Sequence, residues 1–402
     1  MKKALLLSLV GVIAIGVTLA FIYQKNVDRL AYGVTLFSGA EQYENFNRMS
    51  ELYPVSVMSA SPTPFDFENS NSINLPSVFN YGGESVAVEP FLVDTDTSAL
   101  LVIHQGKVRF ERYMLTGGRD VNWLSMSVSK SFIATAIGIA VDRKLINIQL
   151  PITDYVPSLL GSAYDGVSIK DVLQMSSGAA WNEDYSDINS DIMRLGTIMS
   201  VGGSLDDFVA TLTRERPPGT LNHYNSADTQ ALAMLLSRAT GQSVTDYLTQ
   251  NLWHPLGMES DAFWIVDDQN VEMAFGGLNA TARDYAKLGE LYRLKGSWQG
   301  QQIVSAKWIE AATKPDAAHL MPGIDEVYPL GYGYQWWIPE STEGEYSAIG
   351  VYNQFIYVNP SRDLVIVKLS AFSDYAQTDD PSSYREMETI EFFREIGQQL
   401  AK

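Results

Sequence analysis

Segments with strand character stand toward both ends of this chain and a long helical stretch separates them, so any sheet it builds must join residues far apart in sequence. Residues 98–104 and 107–113 flank a Gln105-Gly106 turn and read as a β-hairpin. From about 146 to 305 the periodicity is mainly helical, clearest over 169–175, 204–210 and 227–239. Strands return at 333–337, 346–358 and 363–370, the last two joined by a turn at 359–362, and residues 385–400 close the chain as an amphipathic helix. The expected fold is α+β: an antiparallel sheet built from both chain ends and flanked by helices, with an inserted mainly helical subdomain at about 146–305. Residues 96–402 make up that main domain. Residues 26–95, rich in Ser, Asn, Pro and acidic side chains, read as an extension that wraps it.

Chemistry concentrates where the first hairpin gives way to the helices. Ser127 precedes Lys130 by three residues, and both stand at the mouth of an apolar helical run over 131–141. A lysine in the first turn of a buried helix is opposed by the positive end of the helix dipole and by desolvation, and both favour the neutral amine. Residues i and i+3 share a helix face, so that amine can take the proton of the Ser127 hydroxyl. The free N–H groups of the helix start can hold a developing oxyanion. A purely structural reading, in which the serines cap the helix and Lys130 snorkels to water, is the alternative at this point.

Composition removes several other functions. The formal charge of −19 and the lack of any basic cluster argue against nucleic acid and polyanionic partners. There is no cysteine, which excludes disulfides, thiolate catalysis and thiolate metal sites, and the 4 histidines are scattered without metal-ligand spacing. No metal or cofactor is therefore expected. No G-x-S-x-G elbow occurs, which disfavours a Ser-His-Asp esterase. Met1-Lys2-Lys3 ahead of an apolar stretch from Ala4 to Ile22 reads as an export signal, residues 1–25, that stays as a membrane anchor or is cleaved. It would place the rest of the chain outside the inner membrane, facing the periplasm or extracytoplasmic space.

Three separated segments then resemble one known arrangement. Ser127-Val-Ser-Lys130, Tyr224-Asn-Ser226 after Pro218-Gly-Thr220, and Ala348-Ile-Gly350 on a late strand are similar to the three motifs of serine β-lactamases and penicillin-binding proteins. The surrounding residues resemble the class C branch that includes 6-aminohexanoate-dimer hydrolases and related esterases. The resemblance implies a β-lactamase-like fold and a small amide, ester or peptide substrate. It also implies an acyl-enzyme on Ser127, with Lys130 as base, Tyr224 as proton relay to the leaving group, and the Ser127 and Val351 N–H groups as oxyanion hole. Ser226 and Gly350 then line the substrate, with Tyr185 and Asn353 as further contacts, and Glu183 or Asp184 could attract an amine. Ser226 departs from the Asn of many class C enzymes. Ala348 and Ile349 replace the cationic and hydroxyl groups that greet a substrate carboxylate, so a penicillin-like acid is a poor fit. A D-alanyl carboxypeptidase or β-lactamase, and a silent binding module of the same fold, are the competing readings.

Overall fold

The computed structural model describes residues 41–325, 328–375 and 381–401, with isolated positions before 41. Seven antiparallel strands form the main sheet: β1 (Thr97–His104), β2 (Lys107–Tyr113), β3 (Gly331–Tyr332), β4 (Trp337–Ile338), β5 (Tyr346–Gly350), β6 (Gln354–Asn359) and β7 (Leu364–Ser370). Their spatial order is β3-β4-β5-β6-β7-β1-β2, so the early and late strands meet where β7 pairs with β1, Val367 opposite Leu101. The sheet therefore joins the two chain ends, as the sequence predicts. Alternation decides its two faces. Ala99, Leu101, Ile103, Val365 and Val367 point into the large core, whereas Leu100, Val102, Leu364 and Ile366 point into a second one.

Five helices matter to the site: α1 (Ser129–Asp142), α2 (Asp191–Val201), α3 (Ser226–Thr240), α4 (Ala282–Arg293) and α5 (Glu386–Leu400). The α5 face of Ile390, Phe393 and Ile396 covers the second core, and α1, α3 and α4 fill the first. In α1 every residue from Ser129 to Ala140 is buried, the outcome expected of a helix apolar all round. A smaller sheet, in the order Val55–Met58, Ala262–Ile265, Leu278–Ala280 and Trp123–Leu124, ties the segment before β1 to the helical region.

The expected strand over 333–337 is not continuous. Gln335 takes φ +60° between β3 and β4, and its buried amide donates to the Leu173 carbonyl at 2.9 Å while its oxygen accepts from Thr229 Oγ1 at 2.7 Å. A turn that spends its side chain inside the core looks like strand to a hydrophobicity pattern. The expected strand over 346–358 is likewise two strands, β5 and β6, with Gly350 opposite Gln354. Tyr352 and Asn353 reverse the chain at φ +64° and +72°. The apolar stretch Ala4–Ile22 lies, but for isolated positions, outside the described residues. No helix among the described residues is long and apolar enough to cross a membrane.

Candidate active site

Ser127 occupies a single 3-10 turn, Met126–Val128, at the entrance of α1. The strand Trp123–Leu124 delivers the chain there, and the Ser125 N–H then donates to the Leu278 carbonyl at 2.8 Å. Met126 holds φ +47°, a left-handed backbone that costs a non-glycine residue about 1–3 kcal/mol and persists only when flanking structure fixes it. Here a paired strand lies on one side and a buried helix on the other. Ser127 retains 7% exposure and lines a cavity of about 300 Å³, while Lys130 behind it retains 2%.

Lys130 Nζ has three partners: Ser127 Oγ at 3.0 Å, Ser226 Oγ at 3.0 Å and the Phe275 carbonyl at 2.8 Å. The carbonyl can only accept. Ser226 Oγ gives its own proton to Glu183 Oε1 at 2.6 Å, so toward the amine it also accepts. Two amine hydrogens are thereby assigned, and in the neutral amine the lone pair is left for the direction of Ser127. Burial lowers the pKa of Lys130 from 10.5 to about 8, against the opposing pull of Glu183.

Glu183 is the hub behind this lysine. Its oxygens accept from Tyr185 OH at 2.8 Å, from the Ser226 N–H at 3.0 Å, from Ser226 Oγ and from the Trp181 indole N–H. Each of its two oxygens thus accepts two hydrogen bonds. This role was hidden from the sequence. Glu183 stands two residues before Tyr185, but its bond to Ser226 spans 43 positions. Of the two acids expected to attract an amine, Glu183 is engaged in this network, and exposed Asp184 accepts from Ser186 N and Oγ at 2.8 and 2.7 Å in a local turn.

Tyr224 stands on the other side of the pair. Its ring centre is 5.0 Å from Lys130 Nζ, and its ring stacks on Trp337 at 5.2 Å with 23° between planes. Burial and the nearby Glu183 drive its phenol well above the ordinary value, against an opposing hydrogen bond with Ser127, so the hydroxyl keeps its proton at neutral pH. Asn225, not Ser226, caps α3, accepting from the Ala227 N–H at 2.8 Å, which frees the Ser226 hydroxyl for Lys130 and Glu183.

Gly350 closes the opposite wall. A Cβ there would lie 2.7 Å from the Ser125 carbonyl and 3.0 Å from the Ser127 nitrogen, so only glycine lets β5 approach the serine's turn this closely. Val351 follows and lines the cavity together with Ser127, Tyr185 and Ser226. Asn353 does not join them. It is fully buried, donating to the Tyr384 carbonyl at 2.9 Å and accepting from Lys368 Nζ at 2.8 Å and Thr389 Oγ1 at 2.9 Å. The buried amine of Lys368 needs an acceptor for its N–H, and the tight turn brings Asn353 to it.

A buried acid that no sequence pattern marks lies behind the aromatic wall of Tyr224. Glu386, at the first turn of α5, accepts from Tyr375 OH at 2.8 Å and from Tyr328 OH, and burial pushes its carboxyl up to about 7. Tyr328 packs edge-on against Trp337 at 5.1 Å, so this acid buttresses the aromatic wall that carries Tyr224.

The family model of the beta-lactamases matches residues 92–389. The chain belongs to the beta-lactamase family. Among relatives, it is 34% identical over 343 residues to the 6-aminohexanoate-dimer hydrolase of Paenarthrobacter ureafaciens, covering 82% of this chain and 85% of that protein. It is 22% identical over 185 residues to a beta-lactamase of Yersinia enterocolitica, covering 44% and 45%. Of solved structures, one from Bacillus anthracis, named as a candidate 6-aminohexanoate-dimer hydrolase, superposes with a TM-score of 0.79 at 22% identity, over 91% of this chain and 96% of that one. A penicillin-binding protein from Bacillus halodurans superposes at 0.59 and 18% identity, over 76% and 99%. This beta-lactamase family member is a serine hydrolase, and its fold is the one the family shares.

Proposed function

We propose that the protein hydrolyses a small amide or ester through an acyl-enzyme on Ser127. Lys130 takes the Ser127 proton as Oγ bonds to the substrate carbonyl carbon, and the Ser127 and Val351 N–H groups receive the oxyanion. Tyr224 gives a proton to the leaving nitrogen or oxygen as its bond to carbon breaks, and is reprotonated from Lys130. Water then enters by the same route and releases the acid. The observation that carries this reading is the amine of Lys130, with two hydrogens committed to Ser226 and Phe275 and its remaining position 3.0 Å from Ser127 Oγ.

Amide or ester turnover is favoured over β-lactam turnover because Ala348 and Ile349 supply no group to meet a carboxylate. The test is a fluorophosphonate adduct located by mass, together with p-nitrophenyl ester hydrolysis. Ser127→Ala should abolish both, and retention of either by that variant refutes the mechanism. Negligible cleavage of a chromogenic cephalosporin is expected. We also propose export, with residues 1–25 as signal or anchor facing the protein outward. Recovery of the full chain in the cytoplasmic fraction would contradict it.

A further inference from the structure

The cavity beside Ser127 has a composition unlike that of a site for charged substrates. Met49, Met126, Met193, Met199, Met273 and Phe275 line it, and among the described residues no charged side chain does. Lys130 does not line it; its amine lies behind the serine, held by Ser226 Oγ and the Phe275 carbonyl and 3.0 Å from Ser127 Oγ. An ion entering this space would lose its hydration without finding a partner, whereas an alkyl chain would gain from burial, and flexible methionines adapt to it.

The direction of the cavity tells which arm of a substrate it takes. Tyr224, which serves the leaving group, does not line it and packs with Trp337 and Tyr332 instead. Ser127, Val351 and Ser226 do line it. The arm lying there is therefore the acyl arm, on the far side of the carbonyl from Tyr224.

One glycine supports the same conclusion. Helix α2 presents Ile192, Gly196 and Met199 to the cavity, and a Cβ added at Gly196 meets nothing within 4 Å. Glycine inside a helix destabilises it by roughly 0.5–1 kcal/mol relative to Ala, and here no close packing requires it. What its missing side chain leaves open is volume above the serine.

We infer that the cavity is an acyl-chain pocket and that the substrates are uncharged, medium-chain aliphatic acyl esters or amides. This rests on the acyl-enzyme reading above and names its substrate class. At roughly 30 Å³ per small non-hydrogen group, 300 Å³ accommodates about ten such groups. The optimum should lie near an eight-carbon acyl chain.

The test is a series of p-nitrophenyl esters from acetate to dodecanoate on the full chain, each below its solubility limit. The value of kcat/KM should rise about threefold to fourfold per methylene at first, exceed the acetate value by about 100-fold near octanoate, and fall beyond decanoate. A mono-ester of adipic acid, similar in length but ending in a carboxylate, should be at least about 100-fold poorer than the octanoate. Gly196→Phe should move the optimum to butanoate or shorter, with fluorophosphonate labelling of Ser127 retained as the sign of a folded variant. A flat or falling series in the wild-type protein, with Ser127 still labelled, overturns the pocket assignment and leaves the mechanism standing. Absence of labelling and of all ester turnover overturns both. If Gly196→Phe fails to fold, the wild-type series and the adipate comparison decide the matter alone.

Discussion

The lysine pKa offers the sharpest test, because it converts a buried contact into a rate. An ordinary lysine at 10.5 is neutral in about one molecule in three thousand at pH 7, whereas at about 8 the neutral fraction is about one in ten. With Lys130 as the base, as proposed, the competent fraction rises about 300-fold, at a cost of about 3 kcal/mol in desolvation of the charged form. Below pH 7 the rate should climb tenfold per pH unit, and above about 8 it should level off. The perturbation is pH alone, and the assay is kcat/KM for a p-nitrophenyl ester between pH 5.5 and 10, with spontaneous hydrolysis subtracted. A profile flat from pH 6 to 9, or one still rising steeply above pH 10, would refute a neutral Lys130 as the base. A parallel profile for fluorophosphonate labelling should break at the same pH, since both report the same proton leaving Ser127.

Three other outcomes follow from the same geometry. The folded-state pKa of Lys130 lies below its unfolded value, so the unfolded chain binds more protons between about pH 8 and 10.5, and the penalty is full below 8. Lys130→Met should therefore be inactive yet more stable by about 1–3 kcal/mol at pH 7, with the gain fading by pH 11; urea unfolding that shows a loss at pH 7 would count against the burial argument. Gly350→Ala places a Cβ 2.7 Å from the Ser125 carbonyl, and kcat should fall about 100-fold with KM nearly unchanged; activity within twofold of the parent would mean that the strand does not complete the oxyanion site. Tyr224→Phe should depress amide hydrolysis by at least about 100-fold but p-nitrophenyl ester hydrolysis by less than tenfold, because nitrophenolate departs without a proton; equal losses on both substrates would deny Tyr224 the relay role.

What could be read beforehand divides along physical lines. The sheet from both chain ends was legible because residues such as Leu364–Val367 alternate between two buried faces and carry β-branched side chains. Ser127 and Lys130 were legible because a lysine in an apolar helix contradicts its surroundings. The strands Ala262–Ile265 and Leu278–Ala280 were not, since short, wholly buried runs lack a period that tells strand from helix. Nor was the burial of Asn353, which depends on a turn without glycine or proline and on Lys368 lying inside the sheet. Glu183 was seen as an acid near the cleft, but its partner at Ser226 is a matter of tertiary approach, which no local pattern encodes.

The pairing of β7 with β1 has a consequence for how the enzyme comes into being. The early hairpin emerges from the ribosome long before its partner β7 exists, so one rim of it waits unpaired through most of synthesis. The turn bearing Val351 is also among the last parts to appear, and a nascent chain has the serine well before it has the wall opposite. If Val351 serves the oxyanion as proposed, catalytic competence is reserved for the nearly finished polypeptide.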